Sequence, residues 1–115
     1  MSGQPLAMAV AAKALDGLAM RMAAIAGNLA NAASPNFRAT RVEFEQALQA
    51  AARRGEDAVA RLKLDYQAGE AFAPGDERRM DLMLADAAQT ASRYAALVDL
   101  LGRRFSIQQA TIGGQ

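Results

Sequence analysis

The sequence predicts an all-α protein: two long amphipathic helices, one near each end of the chain, with a short middle helix and an irregular loop between them. Three observations predict it. Apolar residues recur at alternating spacings of three and four in both the early and the late part of the 115 residues, the pattern of one helix face close to a heptad seam. The chain is 52% hydrophobic but only 5% aromatic, and much of the apolar content is alanine, which favours helix and makes a thin core. The strong breakers Ser34-Pro35 and Pro74-Gly75 fall between the two periodic runs, where a helix must stop.

Taken in order, Met1 to Gln4 are small and polar, and Pro5 suits the first turn of a helix. Helix spacing then covers residues 6–33, roughly 42 Å, with the seam Leu15, Leu18, Met22, Ile25 and Leu29. Gly17 and Gly27 lie inside it, each costing about 1 kcal/mol against alanine. Ser34-Pro35 ends the run. Pro35 fits the second position of a turn, and Asn36 can take the left-handed conformation that a type II turn requires next.

Beyond the turn, Thr40-Arg41-Val42-Glu43 fits a capping box with Thr40 as N-cap, opening a short helix over 42–54. Phe44 and Leu48 share one of its faces. Arg53 and Arg54 complement its C-terminal dipole, and Gly55 suits the position just past its end. Residues 55–75 read as a surface loop. Leu62, Leu64 and Tyr66 alternate with Lys63 and Asp65 there, a weak signal for a short extended segment. Asp76 or Asp81 caps the last helix. This helix spans 80–110, roughly 46 Å, with the stripe Met80, Leu84, Ala87, Ala91, Tyr94, Val98, Leu101 and Phe105. Asp99 and Arg103 make an i,i+4 pair, and Gly113-Gly114 releases the chain.

Composition bounds the function. The length suits one domain, 1–115. A net charge of +1 gives no strong field for nucleic acid or anionic lipid. The arginine pairs 53-54, 78-79 and 103-104 are scattered and offset by acids, so no nucleic-acid partner is expected. There is no cysteine and no histidine. Disulfides, thiolate metal sites and a cysteine nucleophile are thereby excluded, along with the commonest metal ligand and neutral-pH base. Ser34, Ser92 and Ser106 lie in no nucleophile motif, Asp76-Glu77 lacks the alternating acids of a calcium loop, and no glycine-rich phosphate cradle is present. No catalytic, cofactor-binding or metal residues are expected, and no small-molecule substrate. The N-terminus lacks a basic n-region, and no apolar stretch is long enough to span a membrane. On these patterns alone the chain reads as a soluble cytoplasmic protein.

Both predicted helices exceed the roughly 35 Å diameter of a compact domain of this length. A helix pair covers only one side of each member, and Met8, Met20, Met83, Leu97 and Leu100 lie off the narrowest seams. Exposing several side chains worth about 1.5–3 kcal/mol each when buried would forfeit much of a typical stability. An isolated chain of marginal stability, completed by further chains, is therefore expected.

The stretch from Asn28 to Arg38 carries a more specific signal. Asn28, Ala30, Asn31, Ser34, Pro35, Phe37 and Arg38 follow the pattern N-x-A-N-x-x-[ST]-P-x-aromatic-[KR]. Placed after an N-terminal amphipathic helix, the string resembles the signature of the flagellar basal-body rod and hook proteins. Two weaker segments extend the resemblance: Phe44-x-x-x-Leu48, and Asp81 opening a last helix that carries Tyr94-x-x-Leu97 and ends Arg104-Phe105-Ser106-Ile107-x-x-Ala110-x-x-Gly113. Small size and the lack of a large inserted domain favour the proximal-rod type. The family usually has glycine where this chain has Asn36, tyrosine where it has Phe37, and an acidic pattern where it has Met83, Leu84 and Ala85.

The resemblance implies terminal helices paired as a coiled coil, and copies packed into a helical tube that transmits torque through the periplasm. It implies export by the flagellar type III apparatus without a cleaved signal. The implied partners are other copies of the chain, other flagellar rod proteins, and the basal-body adaptor and membrane-ring proteins. Asn28 and Asn31 have two readings: helix C-terminal capping, or a register-fixing polar contact between packed helices. The competing function is a soluble helical adaptor or chaperone that binds one partner through its apolar stripe.

Overall fold

A computed structural model describes residues 3–34, 36–71 and 76–113. The elements are α1 (Gly3–Ala30), β1 (Arg38–Arg41), α2 (Glu45–Arg54), α3 (Glu56–Arg61), β2 (Gln67–Ala71) and α4 (Glu77–Gly113). The fold is mostly helical: long N- and C-terminal helices pack together, and a small antiparallel two-stranded sheet closes the middle segment. The molecule measures 61 × 27 × 15 Å with a radius of gyration of 17.6 Å, against about 13 Å for a compact domain of this length. Among the described residues no helix is long and apolar enough to cross a membrane.

The helix α1 stops at Ala30, earlier than the expected residue 33, because the chain tightens into turns. The Asn31 N–H bonds the Gly27 carbonyl at 3.1 Å, and the Ser34 N–H bonds the Asn31 carbonyl at 2.9 Å. Two marks of the expected turn follow: Asn36 has φ 59°, and the Phe37 N–H bonds the Ser34 carbonyl at 3.3 Å. Pro35 itself lies outside the described residues.

The expected capping box is not formed. Thr40 belongs to β1, and α2 begins at Glu45 with Phe44 in the N-cap position. The backbone of Thr40 is committed to Asn28 on α1, which leaves the hydroxyl no helix start to cap. The far end of α2 is as expected: Arg53 and Arg54 occupy its last turn, and Gly55 follows at φ 111°.

Residues 55–75 hold more structure than the loop read from sequence. The six-residue helix α3 buries Val59 completely against α1. The Lys13 ammonium caps its end by donating to the carbonyls of Leu62, at 2.9 Å, and Ala60, at 3.3 Å. Leu62 and Leu64 are half-buried and alternate with exposed neighbours, yet the paired strand starts only at Gln67. The register pairs Arg41 with Gln67, Thr40 with Ala68 and Arg38 with Ala71, so an extra residue bulges from β2. Gly69 sits in that bulge, where a Cβ would lie 3.0 Å from the Ala39 carbonyl oxygen.

The core lies between α1 and the middle segment. Leu18 and Ala24 meet Val42, Phe44, Leu48, Ala51 and Val59 in one buried cluster. Phe44 lies flat against Gly17, where a Cβ would fall 2.6 Å from the ring. A residue that looked like a helix weakness is the seat of the most buried aromatic.

The last helix starts at Glu77, not residue 80, with the Asp76 carboxylate accepting the Arg79 N–H at 3.2 Å, and continues to Gly113. Among the described residues its backbone approaches α1 and no other element. Gly114 lies outside the described residues.

Candidate functional site

The Asn28–Arg38 string is the hinge between α1 and the middle segment. Asn28 is buried, and its side-chain amide grips the β1 backbone in both directions. It donates to the Thr40 carbonyl at 2.7 Å and accepts the Thr40 N–H at 2.9 Å. The amide thus takes the place of a neighbouring strand. Asn28 does set a register, that of β1 on α1, rather than that of two packed helices. Asn31 is exposed, and its amide donates to the Gly27 carbonyl at 2.9 Å, which is the capping role.

The remaining motif residues are mostly at the surface. Ala30, Ser34 and Arg38 are exposed, and Phe37 is half-buried beside a cleft lined by Ala23, Asn28, Asn31 and Tyr66. The structure brings Asn28 and Asn31 together with Phe37 around the end of α1. Arg38 opens β1.

An Arg21-centred latch, with no motif to announce it, fastens the start of α2. The Arg21 guanidinium donates to both Glu45 carboxylate oxygens at 2.7 Å, and to the Val42 carbonyl at 2.7 and 3.0 Å. It also sits over the Phe44 ring, 5.0 Å from the centroid. Bidentate pairing of this kind is the strong form of the ion pair. The hydrogen bonds from Arg21 outweigh the cost of burial and hold the Glu45 carboxyl at about 2, below its ordinary 4.5. The same bonds raise the Arg21 pKa against the opposing effect of burial. On the other side of the segment, the Gln67 amide accepts the Glu43 N–H at 2.8 Å and donates to the Glu43 carbonyl at 3.2 Å. The sequence signal for Arg21 was its position: a charge interrupting the apolar stripe between Leu18 and Ile25.

The predicted seam of α1 is enclosed except at one position, and that of α4 is displaced by one residue at alternate positions. In α1, Leu18 and Ile25 are buried and Leu15 and Leu29 half-buried, but Met22 is exposed. Ala14, Gly17, Arg21, Ala24, Asn28 and Ala32 are enclosed beside them. In α4, Tyr94 and Leu101 are half-buried, whereas Leu84, Val98 and Phe105 are exposed. Among the described residues the enclosed positions there are Arg79, Met83, Ala87, Thr90, Tyr94, Leu97, Leu101 and Arg104, with Thr90 buried to 2%. In α4 the enclosed stripe keeps the alternating spacing but includes Thr90 and Arg104. Reading by apolarity there selected Ala91 and Phe105, one position along.

As a result α4 carries large apolar side chains into solvent: Leu82, Leu84, Val98, Leu100, Phe105 and Ile107 are about half to two-thirds exposed. Of the residues expected to lie off the seam, Leu100 is exposed, while Met83 and Leu97 turn out to be on the packed face and Met8 and Met20 are half-buried. The Asp99–Arg103 pair is formed at 3.1 Å on the surface. An apolar groove of about 590 Å³ runs between α2 and α4, lined by Val10, Leu18, Phe44, Leu48, Ala52 and Leu97. Among the described residues no group of three acidic side chains is placed to hold a metal ion. No family model matches the chain, and no curated protein matches it in sequence.

Proposed function

We propose that the chain is a non-catalytic structural subunit of the bacterial flagellar basal body, of the proximal-rod type, that builds a helical tube with other copies and other rod proteins. The observation that carries the proposal is α4: a 37-residue helix supported along one face only, with large apolar side chains left in solvent. Monomeric proteins rarely leave so much contiguous apolar surface bare. The family-like string at the end of α1 supports the same role, because it turns the chain sharply and locks the middle segment to α1, leaving α4 free to meet neighbours.

In this proposal the terminal helices pair as a coiled coil, for which the alternating three-and-four spacing of the enclosed positions on both helices is the support. Repeated head-to-tail contacts between copies then generate a tube. Export occurs through the flagellar type III apparatus without a cleaved signal, and the tube meets the basal-body adaptor and the membrane ring.

The test is a protein inventory of purified basal bodies from the source bacterium, together with motility of a strain lacking the chain. Presence at a fixed ratio to other rod components, with motility lost on deletion, is the expected result. A chain absent from intact basal bodies and free in the cytoplasm overturns the proposal. A helical adaptor or chaperone is then favoured, with the apolar groove between α2 and α4 as its partner site.

A further inference from the structure

The outward side of α4 carries a long stripe of exposed, uncharged side chains. Leu84, Ala88, Ala91, Ala95, Val98 and Gly102 recur at spacings of three and four, all exposed and none charged or polar. Met80 and Phe105 extend the stripe at either end and are also exposed. At 1.5 Å per residue it runs about 38 Å. The grooves between α4 and the middle segment are lined by Leu82, Met83 and Asp86 and by Arg93, Ala96 and Leu97. These residues occupy the opposite flank of α4, so the middle segment does not shield the stripe.

We infer that this stripe is a docking surface for a second copy of the same chain, lying antiparallel across it. Two features of α4 select that occupant and that direction. The first is size. Set two stripes antiparallel about a centre between Ala91 and Ala95, and Leu84 meets Gly102, Val98 meets Ala88, and Ala91 meets Ala95. Each large side chain faces a small one, so the helices can approach closely. A parallel pair instead sets Leu84 on Leu84 and Gly102 on Gly102.

The second feature is charge. Asp81 and Arg103 border the stripe on its solvent side and are both exposed. In the antiparallel pair, Asp81 of one copy lies within a turn of Arg103 of the other, twice by symmetry. In the parallel pair, the Asp81 of one copy and the Arg103 of the other lie on opposite sides of the seam and far apart along it, so no such pairing forms.

A strip of this length and about 10 Å wide corresponds to an interface below ~1,200 Å², the class of weak, reversible complexes. The closed pair uses the same patch on both copies and cannot propagate. It therefore covers the apolar stripe of the free chain while holding it out of open-ended assembly. The dimer stands apart from the proposed rod role: a chain found in basal bodies but monomeric when purified would sink the dimer and leave the rod.

Sedimentation of the full chain between about 1 μM and about 1 mM, the range in which weak interfaces associate, tests the association. A monomer–dimer equilibrium is expected. Ala91→Glu, with unchanged helical circular dichroism, should weaken it at least tenfold. Orientation is read by cross-linking, since the chain has no cysteine of its own. Oxidation of mixed Ala88→Cys and Val98→Cys chains should give the mixed disulfide. Ala88→Cys alone should not cross-link, its two copies standing about 15 Å apart along the axis. A chain that stays monomeric throughout, an Ala91→Glu variant that dimerises as before, or ready cross-linking of Ala88→Cys to itself would each overturn the inference.

Discussion

Phe44 and Phe105 are the same side chain in two parts of the molecule that are held very differently. Phe44 is 4% exposed, seated on Gly17 beneath the Arg21 guanidinium. Phe105 is 55% exposed on a helix whose backbone, among the described residues, touches only α1. The middle segment gives α1 a buried cluster, an amide bracket at Asn28, a bidentate ion pair at Arg21 and a lysine cap at Lys13. The last helix gives it one stripe containing Thr90 and Arg104. Stability is not uniform across a structure, and the elements with few buried apolar contacts open first. Phe44 thus sits in the buried core between α1 and the middle segment, whereas α4 packs on α1 along one face and leaves the other in solvent, the face that neighbours would cover in the proposed assembly.

Substitutions can break or sharpen the contrast. The largest effect is expected at Phe44→Ala, which empties the core and should cost about 3–5 kcal/mol in denaturant unfolding. Asn28→Ala strips the Thr40 N–H and carbonyl of their partners and should cost about 2 kcal/mol. Asn31→Ala, removing an exposed cap, should cost no more than about 1 kcal/mol. Equal costs at the two asparagines would mean that the bracket does not matter.

The Arg21–Glu45 latch sets a pH dependence. The folded carboxyl titrates at about 2 against 4.5 when free, so its contribution is fully present above 4.5 and is lost as the pH falls from there toward 2. With Glu45 half-exposed the loss should be about 1 kcal/mol after screening. It is read as the difference in acid sensitivity between the wild type and Glu45→Gln, the variant showing the shallower slope. The smallest effect is expected at Phe105→Ala, within about 0.5 kcal/mol in the dilute chain. A cost there like that of Phe44→Ala would show α4 to be as firmly packed as the core.

Much of the frame was legible. The end of α2 at Gly55, the Asp76 cap and the left-handed Asn36 follow from local chemistry, which a sequence carries openly. The helix α3 was not legible, because six residues with a single buried valine make no period. The strands were missed because β1 is four residues long, reads as polar, and is held by partners distant in sequence, the Asn28 amide and the strand β2. The stripe of α4 was off by one at alternate positions because Thr90 and Arg104 occupy enclosed positions, while that of α1 failed only at Met22, beside the enclosed Arg21. Arg21 and Asn28 are satisfied by partners that no periodicity reveals. The motif residues were recognisable as a group, yet only the folded chain separates Asn28, which grips β1, from Asn31, which caps α1.

The most direct measurement is amide hydrogen exchange of the chain at a dilution where it is monomeric, resolved along the sequence. If α4 is an arm awaiting neighbours, its amides between Leu84 and Ile107 should exchange at least about 100-fold faster than those of α1 between Gly17 and Asn28 and of α2. They should gain protection when copies associate. Protection of α4 equal to that of α1 in the dilute monomer would contradict the account, because a helix so protected needs no second layer.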